Sequence, residues 1–236
     1  MASFAIGGRG EVRVWCYVDG FNLYNGVVRR VNQKWINLKL LCDALAAPGD
    51  TVEAVKYFTA RLRPRANDPD VPARQETYWH ALRTVPEIEI IKGYFPPARP
   101  AKKPLACSIE SMDLKVTAGT PQTGVPPEMV RVMESNEKGT DVNLAIHLLN
   151  DAHHSRFEKA AVVSADSDLA GCISMARTES GLSIGVLNPH PEHHCNNLRS
   201  VSSFFVDIEP KHLHLSLFPD PVISPKGRAI AKPAGW

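Results

Sequence analysis

"VVSADSDLAG", residues 162–171, runs two valines into Ser164 and a turn carrying Asp166 and Asp168, and then into Leu169, where a helical period begins. A short apolar, β-branched run reads as a buried strand, and Ser and Asp at its end are strong helix-start residues. In an open parallel sheet the ligand site lies beyond the carboxyl ends of the strands, so a strand–acidic turn–helix unit places both carboxylates at a functional edge. Their mutual repulsion there requires an answer.

The same unit recurs along the chain. "VRVWCYVDG" stops at Asp19-Gly20, and "EAVKYFTARL" and "EIEIIKGYF" repeat the design. Between these strands, "NLKLLCDALA" and the stretch from about Asp70 to Val85 show the spacing of amphipathic helices, the second opening on Asp70 and Pro72. In "KGTDVNLAIHLLNDA" the helical period places Val142, Ala145, Ile146 and Leu149 on one stripe; strand "KAAVVSAD", helix "LAGCISMARTES" and strand "LSIGVLNP" follow. "SVSSFFVDIEP" reads as a last strand and "PKHLHLSLF" as a short helix. This alternation predicts an α/β fold with a mostly parallel central sheet covered on both faces. Residues 96–136, beginning near "PPARPAKKPLA", read as an insertion containing a hairpin of "SMDLKVTAG" and "PPEMVRVMES" around "TPQTG". The expected organisation is one domain over 1–217 and a Pro-rich tail over 218–236.

Composition excludes little. The 236 residues are 44% hydrophobic and 22% charged, as in ordinary globular proteins, and 27 Lys plus Arg against 25 Asp plus Glu leave any nucleic-acid partner to be argued from local patches. No run is long and apolar enough for a signal peptide or membrane span, so a cytoplasmic location without membrane association is expected. Cys16, Cys42, Cys107, Cys172 and Cys195 lack C-x-x-C spacing and read as reduced, mostly buried thiols.

Besides Asp166 and Asp168, Asp19 closes the first strand and Asp141 opens the helix feeding the strand "AAVVS". Each has a plain reading as a turn or helix-start residue. Gathered at one edge, the four would repel unless a cation sat among them. No His/Cys set with zinc spacing accompanies them, and all-oxygen ligation favours Mg or Mn, an arrangement suited to phosphodiester hydrolysis. Asn22 is placed to cap the turn after Asp19 or to aim its amide at a water or phosphate, and Ser164 to donate a hydrogen bond near Asp166.

"VDGFNLYNG", "EKGTDVNLAIHLL" and "VVSADSDLAG" resemble the signature blocks of the NYN domain family, PIN-like nucleases that include the LabA-type bacterial proteins. The resemblance runs from the first strand through "LSIGVLNP". It implies a three-layer α/β/α PIN-like fold and a metal-dependent ribonuclease in which Asp19, Asp141, Asp166 and Asp168 bind Mg or Mn, assisted by Asn22. Ala165 departs from the glycine or asparagine frequent before the first aspartate of the last block, at a place where neither backbone nor ligation needs a side chain.

Arg61, Arg63 and Arg65 follow the second strand toward the same edge, Arg99, Lys102 and Lys103 form a basic run in the insertion, and Lys138 precedes the Asp141 helix. Of these, Arg61 and Arg63 are the strongest candidates for phosphate contacts. Phe21 and Tyr24 flank the acidic turn and are candidates for stacking a base; Phe58, Tyr94 and Phe95 read as core. Single-stranded RNA is the expected substrate, since a flexible strand can bend its scissile phosphate into a pocket. The expected reaction is endonucleolytic hydrolysis by a metal-activated water.

"NPHPEHHCNN" holds His190, His193, His194 and Cys195, yet adjacent histidines diverge and the spacing matches no common zinc pattern. His190 is still placed to reach a phosphate. The competing readings are a PIN-like module that binds RNA or protein without cutting, and a D-x-D glycosyltransferase, which leaves Asp19 and Asp141 without a role. "GGRG" precedes the first strand and cannot serve as a dinucleotide loop. Insertion and tail are candidate surfaces for the substrate groove or for a second copy of the chain in a homo-oligomer.

Overall fold

The computed structural model describes residues 12–64, 68–94, 99–104, 129–134, 138–193 and 195–236, with 99–104 and 129–134 described as backbone. Its centre is a six-stranded sheet built from β1 (Val12–Asp19), β2 (Asp50–Ala60), β3 (Ile88–Gly93), β6 (Lys159–Val163), β7 (Ser183–Asn188) and β8 (Phe205–Asp207), in the order β3-β2-β1-β6-β7-β8. Every pairing in it is parallel. Strand order runs outward in one direction from β1 to β3 and in the other from β6 to β8, so the reversal falls between β1 and β6, where this architecture places ligands.

The alternation of side chains along β1 sets the two faces. Val14, Cys16 and Val18 enter one core with α3 (Leu38–Leu45) and α4 (Val71–Leu82), while Tyr17 enters the other with α5 (Thr140–His153), α6 (Ala170–Ser180) and α7 (Asn196–Val201). The result is the α/β/α sandwich that the alternation of elements predicts. The first core also takes Leu213 of α8 (Pro210–His214), Phe218 and Val222, and Trp236 packs on Trp35 and Tyr78 at ring separations of 6.4 and 5.5 Å.

Three elements differ in detail from expectation. On α5 the buried side chains are Thr140, Leu144, Leu148, Asp151 and Ala152, whereas Val142 and Ile146 are exposed, so the buried stripe is rotated from the 142/145/146/149 face. A buried aspartate on the inner face explains the misreading: a polar residue there breaks the hydrophobic pattern that periodicity follows. In the insertion, β5 (Met129–Glu134) pairs antiparallel with β4 (Arg99–Pro104), the Pro- and Lys-rich segment read as a break. Both strands of a two-stranded ladder are edges, where Pro100 and Pro104 are tolerated; residues 111–119, expected to supply the partner strand, lie outside the described residues. Finally, α7 forms ahead of β8 and takes in Ser200 and Val201, the first two residues of the stretch read as a strand. Of the cysteines, Cys16 and Cys42 are buried and Cys172 and Cys195 half-buried, all free thiols; Cys107 lies outside the described residues.

Candidate active site

Asp19 is the last residue of β1 and the N-cap of the short α1 (Gly20–Leu23). Its successor must be glycine, because a Cβ at Gly20 would stand 2.6 Å from the Tyr57 ring and 2.8 Å from the Phe58 carbonyl. That close approach seats the carboxylate in a pocket only 4% exposed. The backbone N–H of Asn22 donates to Asp19 Oδ1 (3.0 Å) and the Ser164 hydroxyl donates to Oδ2 (3.1 Å). Both donors are neutral. Burial foremost, and then the negative charges of Asp141 and Asp166, push the Asp19 carboxyl up to about 6 against those two hydrogen bonds.

The turn after β6 is tied to this pocket. The Ala165 N–H donates to Asn22 Oδ1 (3.0 Å), the Asp166 N–H to Ser164 Oγ (3.1 Å) and the Asp168 N–H to Asp166 Oδ1 (3.0 Å). Asn22 therefore clamps the β1 and β6 turns together through its side-chain oxygen, and Ser164 joins Asp19 to Asp166. Ala165 is used through its backbone. Asp166 is half-buried, Asp168 is exposed on the 3₁₀ turn Ser167–Leu169, and Asp141 is exposed in the first turn of α5, following Gly139, whose φ of +89° suits glycine. Segments more than a hundred residues away along the chain thus bring the charges of Asp141 and Asp166 to bear on Asp19. No three of the aspartates bring oxygens within 4.8 Å of one another; among the described residues that closeness belongs to His190, Glu192 and His193.

On the β2/β3 side of this junction lies a cleft of about 460 Å³ lined by Arg61, Leu62, Arg63, Pro64, Pro72, Gly93 and Tyr94. Arg61 and Arg63 follow β2 directly, and Lys138 is held beside them by a two-bond backbone bridge to Tyr94 (2.9 and 3.1 Å). Tyr94 is 63% exposed and so is a surface aromatic, against the expectation that it packs in the core; its strand ends at Gly93, which leaves the ring beyond the last covered residue. Phe58 is fully buried as expected, Tyr24 is 40% exposed and Phe21 half-buried. Arg65, Phe95 and His194 lie outside the described residues, as do the side chains of Arg99, Lys102 and Lys103.

On the β7 side, the His190 and His193 rings lie 5.3 Å apart with an interplanar angle of 12°, and Glu192 Oε1 is 3.7 Å from a nitrogen of each. The divergence expected of adjacent histidines does not apply, because these two are three residues apart on a tight turn closed by the His193 N–H donating to the His190 carbonyl (2.9 Å). Glu192 went unread in the sequence; its position inside a H-P-E-H turn was the available signal.

The match of the NYN domain family model to residues 13–209 shows that the chain belongs to that family, a membership that implies nuclease-like, RNA-related chemistry generally supported by divalent metal ions. It is similar, at 27% identity over 198 residues, to 6-hydroxy-3-succinoylpyridine 3-monooxygenase HspA of Pseudomonas putida; that match takes in 75% of this chain and 60% of the relative's length. In fold it is similar to a crystal structure of a protein of unknown function, VPA0982 of Vibrio parahaemolyticus, at a TM-score of 0.53 and 16% identity, covering 90% of this chain and all of that one. Among the described residues no helix is long and apolar enough to cross a membrane.

Proposed function

We propose that the protein is a metal-dependent endoribonuclease that hydrolyses phosphodiester bonds of single-stranded RNA. The observation that carries this reading is Asp19: a buried carboxylate whose hydrogen-bond donors among the described residues are both neutral, near two further carboxylates drawn from distant segments to the switch point of a parallel sheet. Such an arrangement is costly unless positive charge enters it in the working state. The donor set fits a hard cation, because Asp19, Asp141, Asp166 and Asp168 offer only oxygen, the ligand of Mg or Mn. When bound, the ion supplies charge neutralisation for the phosphoryl group and activation of a water nucleophile.

The chain's own residues do the rest. Asn22 and Ser164 hold the Asp19 and Asp166 turns in register, so that the carboxylates are preorganised before substrate arrives. Arg61, Arg63 and Lys138 offer cationic contacts to the RNA backbone on the β2/β3 side, and Tyr94 offers a stacking face beside them. Hydrolysis would leave a 5′-phosphate and a 3′-hydroxyl. The test is Asp166→Asn, which removes a negative charge while keeping the acceptor that caps Asp168. Cleavage of single-stranded RNA in Mg or Mn is expected to fall by more than about 10²-fold, with the far-ultraviolet circular dichroism unchanged. A fully active variant overturns the assignment. RNA binding without cleavage by the wild type would favour a non-cutting module, and cleavage-free turnover of a hydroxylated pyridine would favour the activity for which the Pseudomonas relative is named.

A further inference from the structure

The turn that follows β7 carries chemistry that the aspartate junction does not use. His190 Nδ1 and His193 Nε2 each lie 3.7 Å from the same oxygen, Glu192 Oε1, and one ligating atom from each of the three residues lies within 4.8 Å of the other two. In a tetrahedral zinc site with bonds of about 2.0–2.2 Å, donor atoms stand about 3.4 Å apart. Both histidine–Glu192 pairs are therefore within a few tenths of an ångström of the separation that ligation requires. His190 Nδ1 is shielded from solvent and makes no hydrogen bond, an orphaned acceptor or donor aimed at the cluster.

The scaffold under these side chains is fixed. Asn188, 1% exposed at the end of β7, receives the His190 N–H on Oδ1 (3.0 Å) and donates from Nδ2 to the His190 carbonyl (3.0 Å) and to Asp207 Oδ1 (2.8 Å). The π-helical turn Tyr24–Val28 packs directly against the segment, since a Cβ on Gly26 would meet the Pro189 carbonyl oxygen at 2.4 Å and the His190 ring at 3.0 Å. His190 is thus held on both sides while Glu192 and His193 project outward, which leaves the remaining coordination positions open to solvent. Among the described residues the Arg30 guanidinium opposes a cation: it pairs with Glu192 Oε1 from a half-exposed side chain, and a bound metal would have to displace it.

We propose that His190, Glu192 and His193 form a binding site for a borderline divalent transition metal of the zinc class, separate from the all-oxygen aspartate junction and independent of the nuclease reading. Two imidazoles and one carboxylate are the donors of three-ligand zinc sites that keep a position open, whereas Mg prefers oxygen and retains its waters.

The experiment titrates the purified full chain with Zn²⁺ by equilibrium dialysis, and with Co²⁺ followed by visible absorption, in excess Mg²⁺ to occupy oxygen sites. One equivalent is expected, with the Co²⁺ spectrum of a nitrogen-ligated low-symmetry site. His193→Ala, on an exposed side chain, and Glu192→Gln are each expected to weaken binding more than about 10-fold. His153→Ala is the control, because His153 and His154 form the other described pair of neighbouring imidazoles, at 5.2 Å. Binding that persists in His193→Ala, that disappears in His153→Ala instead, or that is absent from the wild type overturns the proposal.

Discussion

Asp19 and Asp151 are both buried aspartates, 4% and 0% exposed, and the chain answers their charges in opposite ways. Asp151, near the end of α5, receives the Tyr17 hydroxyl (2.9 Å) and the Lys56 ammonium on one oxygen and the Arg156 guanidinium (3.0 Å) on the other. Lys56 itself lies over the Trp15 ring and within 3.2 Å of His147 Nδ1. Asp19 has two neutral donors and further carboxylates for neighbours. A paired buried charge ties α5 to β1 and β2 and is complete in itself. An unpaired one beside like charge weakens the fold, a cost that the proposed ion would offset. Asp141 and Asp151 sit at opposite ends of one helix, so the complete site also anchors an element of the incomplete one.

This contrast can be broken at either end. Lys56→Met keeps the bulk of the side chain but strips Asp151 of its buried cation, and is expected to lower unfolding stability by about 3–5 kcal/mol in a urea titration, nearer the lower figure because Arg156 remains. A loss below about 1 kcal/mol would show that the pairing at Asp151 is not what sustains that charge.

The opposite sign is expected at the junction. Asp19→Asn keeps an oxygen for the Asn22 N–H and removes the buried charge, so the metal-free protein should gain about 2–3 kcal/mol at neutral pH while losing cleavage. The pH dependence follows from the direction of the shift. The folded carboxyl titrates at about 6 against a reference of 3.8, so between those values the folded state holds more protons than the unfolded one. Wild-type stability should therefore fall as pH rises through that window, and the advantage of Asp19→Asn should vanish below about pH 4. A variant no more stable than wild type at pH 7 in chelator would mean that Asp19 carries no unpaired charge.

The smallest effect tests whether the junction's surroundings serve an anionic ligand. Arg61→Ala should weaken binding of single-stranded RNA several-fold and reduce the slope of log affinity against log salt by about 1, with cleavage at saturating RNA little changed. An unaltered salt slope would detach the basic cleft from the aspartate edge.

Much of this was legible before any fold was known. The strand–acidic turn–helix units at Asp19 and Asp166 announce themselves because burial and capping are local demands: β-branched runs, an Asp at the N-cap, a Gly where backbones touch. Asn22 and Ser164 were visible as turn residues, yet nothing local indicates that Asn22 reaches Ala165 across 143 positions or that Ser164 reaches Asp19 across 145. The inner face of α5 was misread because Asp151 occupies it, a polar residue that only its partners on β1 and β2 explain. Tyr94 was assigned to the core because an aromatic after a strand run resembles the strand's continuation; the sheet simply ends one residue earlier. At the His190 turn the residue types were noticed, but the three-residue spacing that stacks two of them was not.

Periodicity and turn chemistry by themselves determined the alternating α/β character of the chain, the ends of its central strands and the identity of the acidic residues there, since each depends on neighbours within a few positions. Only the tertiary structure decided that β1 lies beside β6 at the reversal of strand order, that Asp19 meets no cation among the described residues while Asp151 is given two, and that His190, Glu192 and His193 meet on one turn. Those outcomes depend on which strands and helices pack together, a matter of long-range contact that no local pattern carries.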